Sequence, residues 1–194
     1  PLVRTAEALG LRVKRFPRGK DQRYAVDPWL VARCLDKGIR AVVVSQLHNP
    51  SGVAASNESL AAVAALMAPR GGHLIVDEVY GELVKPRRSA RTLAPNVVTT
   101  SSLTKCFGLG FLRAGWLSLP PELVPEAHNV LRHTTGHLPP VGMSLATVGL
   151  ARAEKLAKRR KALMAGKRAR IDAFLETQPH LAWALEVGQA PDAG

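Results

Sequence analysis

Short apolar, β-branched runs return along the chain with room for one helix between most neighbours, and this alternation limits the possible fold more than any other feature. The runs occupy residues 11–16, 41–45, 73–76, 97–101 and 114–119, each bounded by turn residues. Between them, helical spacing covers residues 28–35 after Asp27, 58–67 near Ser56, and 122–132 after Pro120 and Pro121. Strand, helix and strand in succession is the signature of βαβ units, so an α/β fold with a mostly parallel sheet is expected. The unbroken run Ala41-Val42-Val43-Val44 predicts a strand covered on both faces.

At residue 141 the pattern changes to an Ala-, Leu-, Lys- and Arg-rich stretch that reads as one long helix or two consecutive ones through residue 177, with Gly166 as the break. Its basic face holds Arg152, Lys155, Lys158, Arg159, Arg160, Lys161, Lys167, Arg168 and Arg170. That stretch supplies much of the formal charge of +12. A solvated helix face accounts for it, because no aromatics interleave with the cations and no nucleic-acid module can be discerned. A length of 194 residues and 46 % hydrophobic content suffice for a buried core. Cys34 and Cys106 stand far apart without CxxC or CxxH spacing, so neither a disulfide framework nor a zinc site is expected. His128, His133 and His137 likewise lack metal-ligand partners. No apolar run is long enough to span a membrane and no signal peptide is discernible, so a soluble, cytoplasmic protein is expected. Pro1 stands where an initiating Met would, which suggests a fragment.

Four polar motifs follow one another in the chain, three of them directly at the ends of apolar runs, where open α/β sheets bind ligands. His48-Asn49-Pro50-Ser51-Gly52 follows the second run, and Asp77-Glu78-Val79-Tyr80 follows the third. Ser101-Ser102-Leu103-Thr104-Lys105 closes the fourth, and Gly108-Leu109-Gly110 and Arg113 come next. Asp77 lies 28 positions after Asn49, and Lys105 lies 28 positions after Asp77, about one crossover each. Singly, each motif has a plain explanation: Asn-Pro-Ser-Gly as a turn, Asp77 as a cap, a lysine as a solvated cation. In this order, an amide, a carboxylate, a phenol, a hydroxyl, an amine and a guanidinium could converge on one sheet edge.

Asn-Pro-x-Gly, Asp-x-x-Tyr, and Ser-x-x-Lys followed eight positions later by Arg resemble the cofactor motifs of the fold-type-I, pyridoxal-phosphate-dependent aminotransferases of class I and II. The resemblance runs over residues 1–179. It implies that Lys105 forms the internal Schiff base with pyridoxal 5′-phosphate and later moves the proton at the substrate Cα. It also implies that Asp77 pairs with the pyridine nitrogen, that Asn49 and Tyr80 hydrogen-bond the ring 3-oxygen, and that Ser102 and Arg113 hold the phosphate. A cis Asn49-Pro50 bond is a further expectation from the family. Cys106, Phe107 and Trp116 read as packing residues, and His48 lies beside the site.

Under this resemblance residues 1–140 are the central part of the large, cofactor-binding domain and residues 141–179 lead toward a small domain that begins within residues 180–194. The fold would be incomplete at both ends, with an open sheet edge and uncovered apolar faces. The 194-residue chain alone is therefore expected to be inactive and poorly soluble. The implied reaction transfers an amino group between an amino acid and a 2-oxo acid, in a full-length homodimer with no nucleic-acid or membrane partner. Two alternatives stay open at this point: a lyase or decarboxylase on the same fold, and an aminotransferase-like effector domain of a transcription regulator.

Overall fold

A computed structural model describes residues 2–83 and 88–183. Helix α1 (Leu2–Ala8) buries no side chain, and an extended segment follows it. The strand expected at residues 11–16 does not form. A strand needs a ladder partner, and the sheet has none beside this segment. Instead Arg12 and Lys14 reach out to Asp36 at 2.7 and 2.9 Å, while Phe16 packs on the core.

Helix α2 (Pro28–Cys34) begins where the sequence offers both start signals: Pro28 at its first turn, and an Asp27 carboxylate that accepts from Trp29 N at 2.8 Å. Strand β1 (Ala41–Ser45) leads through a loop into helix α3 (Asn57–Met67), capped by Ser56 Oγ, which accepts from Ser59 N at 3.1 Å. Leu60, Val63, Ala64 and Met67 form the buried stripe of α3, spaced as one helical face requires. Strand β2 (His73–Asp77) and strand β3 (Val97–Ser102) follow, and strand β4 (Gly115–Ser118) ends the sheet.

The order is β1-β2-β3-β4, with β1, β2 and β3 parallel and β4 antiparallel to β3. This is the expected mostly parallel α/β sheet. Its main core joins Val42, Val44, Leu74, Val76 and Val97 to α2 and the stripe of α3. The cover expected on both faces of β1 is not met among the described residues: Val42 and Val44 are buried, whereas Val43 is 42 % exposed. The packing helices α2 and α3 close the face that carries Val42 and Val44.

Helix α4 (Val124–Thr134) starts two positions later than expected because residues 121–123 form a tight 3-10 turn after Pro120. The stretch read as one or two helices is three: α5 (Pro140–Leu150), α6 (Ala153–Met164) and α7 (Lys167–Glu176). Gly166, with φ +70, makes the anticipated break, and a turn at residues 151–152 makes the other. A second core gathers Leu103, Cys106, Phe107, Leu112 and Ala114 beneath α5 and α6, with Trp116 packed beside it. No described helix is long and apolar enough to cross a membrane. Of the segment 180–194, residues 184–194 lie outside the described residues.

Candidate active site

The parallel register aligns the carboxyl ends of three strands. Ser45 of β1 pairs with Asp77 of β2, and Asp77 with Thr100 of β3. On β4, Gly115 pairs with Ser102, so Arg113, two residues upstream of Gly115, returns to the same edge. The six residues singled out by sequence therefore stand on loops or strand ends along one edge, the place where such sheets present their ligand groups.

The loop after β1 is closed by its own backbone: His48 N donates to Val53 O at 2.9 Å and Gly52 N donates to His48 O at 2.8 Å. The Gln46 side chain fastens its base, accepting from Ala55 N at 2.7 Å and donating to Ala55 O at 3.0 Å. Asn49 sits exposed at the tip, and its bond to Pro50 is cis, as expected; Gln46-Leu47 is also cis. His48 lies behind Asn49, stacked on Tyr24 at 5.4 Å with Nδ1 2.8 Å from Ser51 Oγ. Burial, and then the nearby Arg18 guanidinium, hold the His48 ring below its usual 6.5. Arg18 donates to Ser45 O at 3.4 Å and to Tyr24 O at 2.9 Å.

Asp77 is the last residue of β2 and half-buried, and its carboxylate accepts from Val79 N at 3.0 Å. That bond starts the turn that presents Tyr80, whose ring packs half-buried against the second core. Glu78, its neighbour, faces the other way. It is 6 % exposed, and its carboxylate accepts from Ser89 Oγ at 2.9 Å and Ala90 N at 2.6 Å, which anchors the turn at residues 90–92. Of two adjacent acids, Asp77 is thus left at the edge while Glu78 serves the framework.

Ser102 ends β3, and its hydroxyl accepts from Thr104 N at 3.2 Å. The lysine loop folds under itself through Leu109 N to Leu103 O at 2.9 Å and Gly108 N to Lys105 O at 3.3 Å. Gly108 takes φ +69 there, which suits a residue without Cβ. Leu103, Cys106 and Phe107 point into the second core, as expected of the last two, so Lys105 is left exposed on a loop anchored from below. Arg113 is exposed at φ +53, with Nη1 3.5 Å from Gly110 O. Ser102, Thr104 and Arg113 line an open cleft of about 720 Å³ whose far wall includes His128 and Leu131 of α4. Asn49, Asp77, Tyr80 and Lys105 stand outside that cleft.

Sequence reasoning had no signal for Gln46, Glu78 or Arg160 as site supports, because their partners lie up to 78 residues away or on either side of an undecided turn. No group of acids, histidines and cysteines suited to a metal occurs among the described residues.

A family profile described as aminotransferase class I and II matches residues 2–183. The chain is 34 % identical over 145 residues to a valine–pyruvate aminotransferase of Mycobacterium tuberculosis, covering 73 % of this chain and 37 % of that protein. It is 31 % identical over 130 residues to a probable N-succinyldiaminopimelate aminotransferase of the same organism, covering 64 % of this chain and 32 % of that one. Among solved structures, a PLP-dependent aminotransferase from Streptococcus suis superposes with a TM-score of 0.85 at 16 % identity, over 97 % of this chain and 50 % of the other, a likeness of fold. An aminotransferase from Mycobacterium tuberculosis superposes with a TM-score of 0.74 at 29 % identity, over 88 % of this chain and 47 % of the other. The chain spans about a third of the length of these curated relatives and about half of the solved chains.

Proposed function

Because the chain belongs to the class I and II aminotransferase family, we propose that the full-length protein transfers an amino group between an amino acid and a 2-oxo acid, with pyridoxal 5′-phosphate held along the carboxyl edge of the sheet. The observation that supports the reading most is the placement, along one sheet edge, of an edge carboxylate, Asp77 at the end of β2, and an exposed amine, Lys105, on the anchored loop after the adjacent β3.

The donor set suits that cofactor in number and kind. An acid for a pyridine nitrogen, an amide and a phenol for a ring oxygen, a hydroxyl and a guanidinium for a phosphate ester, and an amine for an aldehyde all occur at one edge. Asp77 would keep a proton on the ring nitrogen, Asn49 and Tyr80 would orient the ring through its 3-oxygen, and Ser102 and Arg113 would hold the phosphate. The bound cofactor supplies an electron sink for the bond breaking at the substrate α-carbon. Lys105 Nζ would hold the cofactor in the resting protein and would move the proton at the substrate Cα. Its exposure suits both tasks.

The proposal extends to a cytoplasmic homodimer. The test is a transfer assay on the full-length protein with a panel of amino acids and either pyruvate or 2-oxoglutarate as acceptor. Amino transfer abolished by Lys105→Ala is the expected result. Release of carbon dioxide or of an eliminated β-substituent, without a new amino acid, would replace it with a decarboxylase or lyase.

A further inference from the structure

Nine basic side chains crowd residues 152–170, and eight of them are exposed. Arg160 is the exception. It shares a face of α6 with Leu156 and Ala153, one and two turns upstream, and both pack on the second core under the lysine loop. The face is aimed, therefore, at the underside of residues 103–112. Arg160 Nη1 donates to Cys106 O at 3.1 Å and Nη2 donates to Glu82 O at 3.1 Å. The two carbonyls lie 54 and 78 residues upstream of the arginine, on two different loops. Cys106 adjoins Lys105, and Glu82 lies two residues beyond Tyr80. The same two loops meet again where Cys106 Sγ approaches Val79 O at 3.3 Å.

We propose that Arg160 is a positioning residue: its guanidinium fork ties the loop bearing Lys105 to the turn bearing Tyr80 and so fixes the Lys105 amine relative to the edge that holds Asp77. A rigid planar fork can serve two carbonyls on separate loops at once, which the single ammonium of a lysine does less well. Charge on the donor makes both bonds stronger than neutral ones. Among the described residues the other eight cations are exposed and none of them ties two loops, although Arg168 bonds Asp172 and lies over the Trp183 ring, so the rest of the stripe serves as a solvated face.

The inference rests on the proposed function for its catalytic meaning, and its test separates the two. Hydrogen exchange of the Gly108 and Leu109 amides, which close the lysine loop, is measured in full-length protein without cofactor, for wild type, Arg160→Ala and Arg160→Lys. The expected result is exchange quickened about tenfold by Arg160→Ala and less by Arg160→Lys, with the β1–β2 ladder amides unchanged. If Arg160→Ala loosens the ladder as well, Arg160→Lys alone decides by the same contrast. The loaded proteins are then titrated, and the pH midpoint of the visible cofactor band is expected to shift in Arg160→Ala and to return partway in Arg160→Lys. In the deciding variant, loop exchange that matches wild type, or that rises only in step with the ladder, overturns the tie. An unmoved pH midpoint overturns the positioning of Lys105. Wild-type protein that takes up no pyridoxal phosphate would sink the proposed function, while the exchange contrast would still judge the tie.

Discussion

Two acids adjoin at the end of β2, and their environments give them different work. Glu78 accepts from Ser89 and Ala90, whereas Asp77 accepts one bond from Val79 N and presents the remainder of its carboxylate to the edge. Asp77→Asn preserves an acceptor for Val79 N, so the fold should survive. Amino transfer should nonetheless fall by about a hundredfold or more, because the ring nitrogen loses its anionic partner. The measurement is kcat for the full-length variant, and a rate within a few fold of wild type would deny Asp77 that role. His48 gives a prediction of a different kind. Its ring is held below 6.5, so as pH falls below 6.5 the unfolded chain takes up the proton before the folded one does. The contribution of His48 therefore weakens the fold progressively down to the folded-state pKa and then levels. Urea unfolding at pH 7.5 and 5.5 should show a smaller loss of stability in His48→Gln than in wild type; equal losses would mean that the ring titrates as it does in water.

At the scale of elements, the parts with strong local signals were legible in sequence. Helix α2 was marked by Asp27 and Pro28, α3 by Ser56 and its apolar stripe, and β1, β2 and β3 by β-branched runs that end in polar motifs. Residues 11–16 carried the same kind of signal and made no strand, since alternation in sequence cannot supply a neighbour to pair with. The basic stretch was legible as helix but not as three helices, and the seat of Arg160 depends on how α6 docks, which composition does not encode. Packing of α3 on the sheet rests heavily on Met67, which is fully buried and lies close to Gly72 ahead of β2. Met67→Ala should cost about 2–5 kcal/mol in denaturant unfolding of the full-length protein. A cost below about 1 kcal/mol would mean that α3 does not rely on that contact.

Across the whole molecule, one sheet edge is built and much apolar surface is left open. Val43 on β1, Leu117 on β4, Phe111 near the lysine loop and Val141 on α5 are all exposed, and the cleft beside β4 has an apolar wall on α4. Patches of this kind associate in water. The 194-residue chain expressed alone should therefore form concentration-dependent aggregates in light scattering, and a monodisperse monomer at tens of micromolar would show that this surface is tolerated. That the six candidate residues lie on loops or strand ends along one sheet edge was readable from their order and spacing, because parallel strands return each loop to the same end and the antiparallel β4 leaves Arg113 there too. What the order did not reveal was that Lys105 rides on a loop pinned from beneath by residues of a second core. The proposed chemistry depends on this amine holding pyridoxal phosphate. The most direct measurement is reductive trapping with borohydride after adding pyridoxal phosphate to full-length protein, with absorbance recorded from about 300 to 500 nm beforehand and the labelled peptide identified afterwards. A visible band that becomes fixed on the peptide containing Lys105 and is absent in Lys105→Ala is expected. A folded protein with no band, or a label fixed on another lysine, would contradict it.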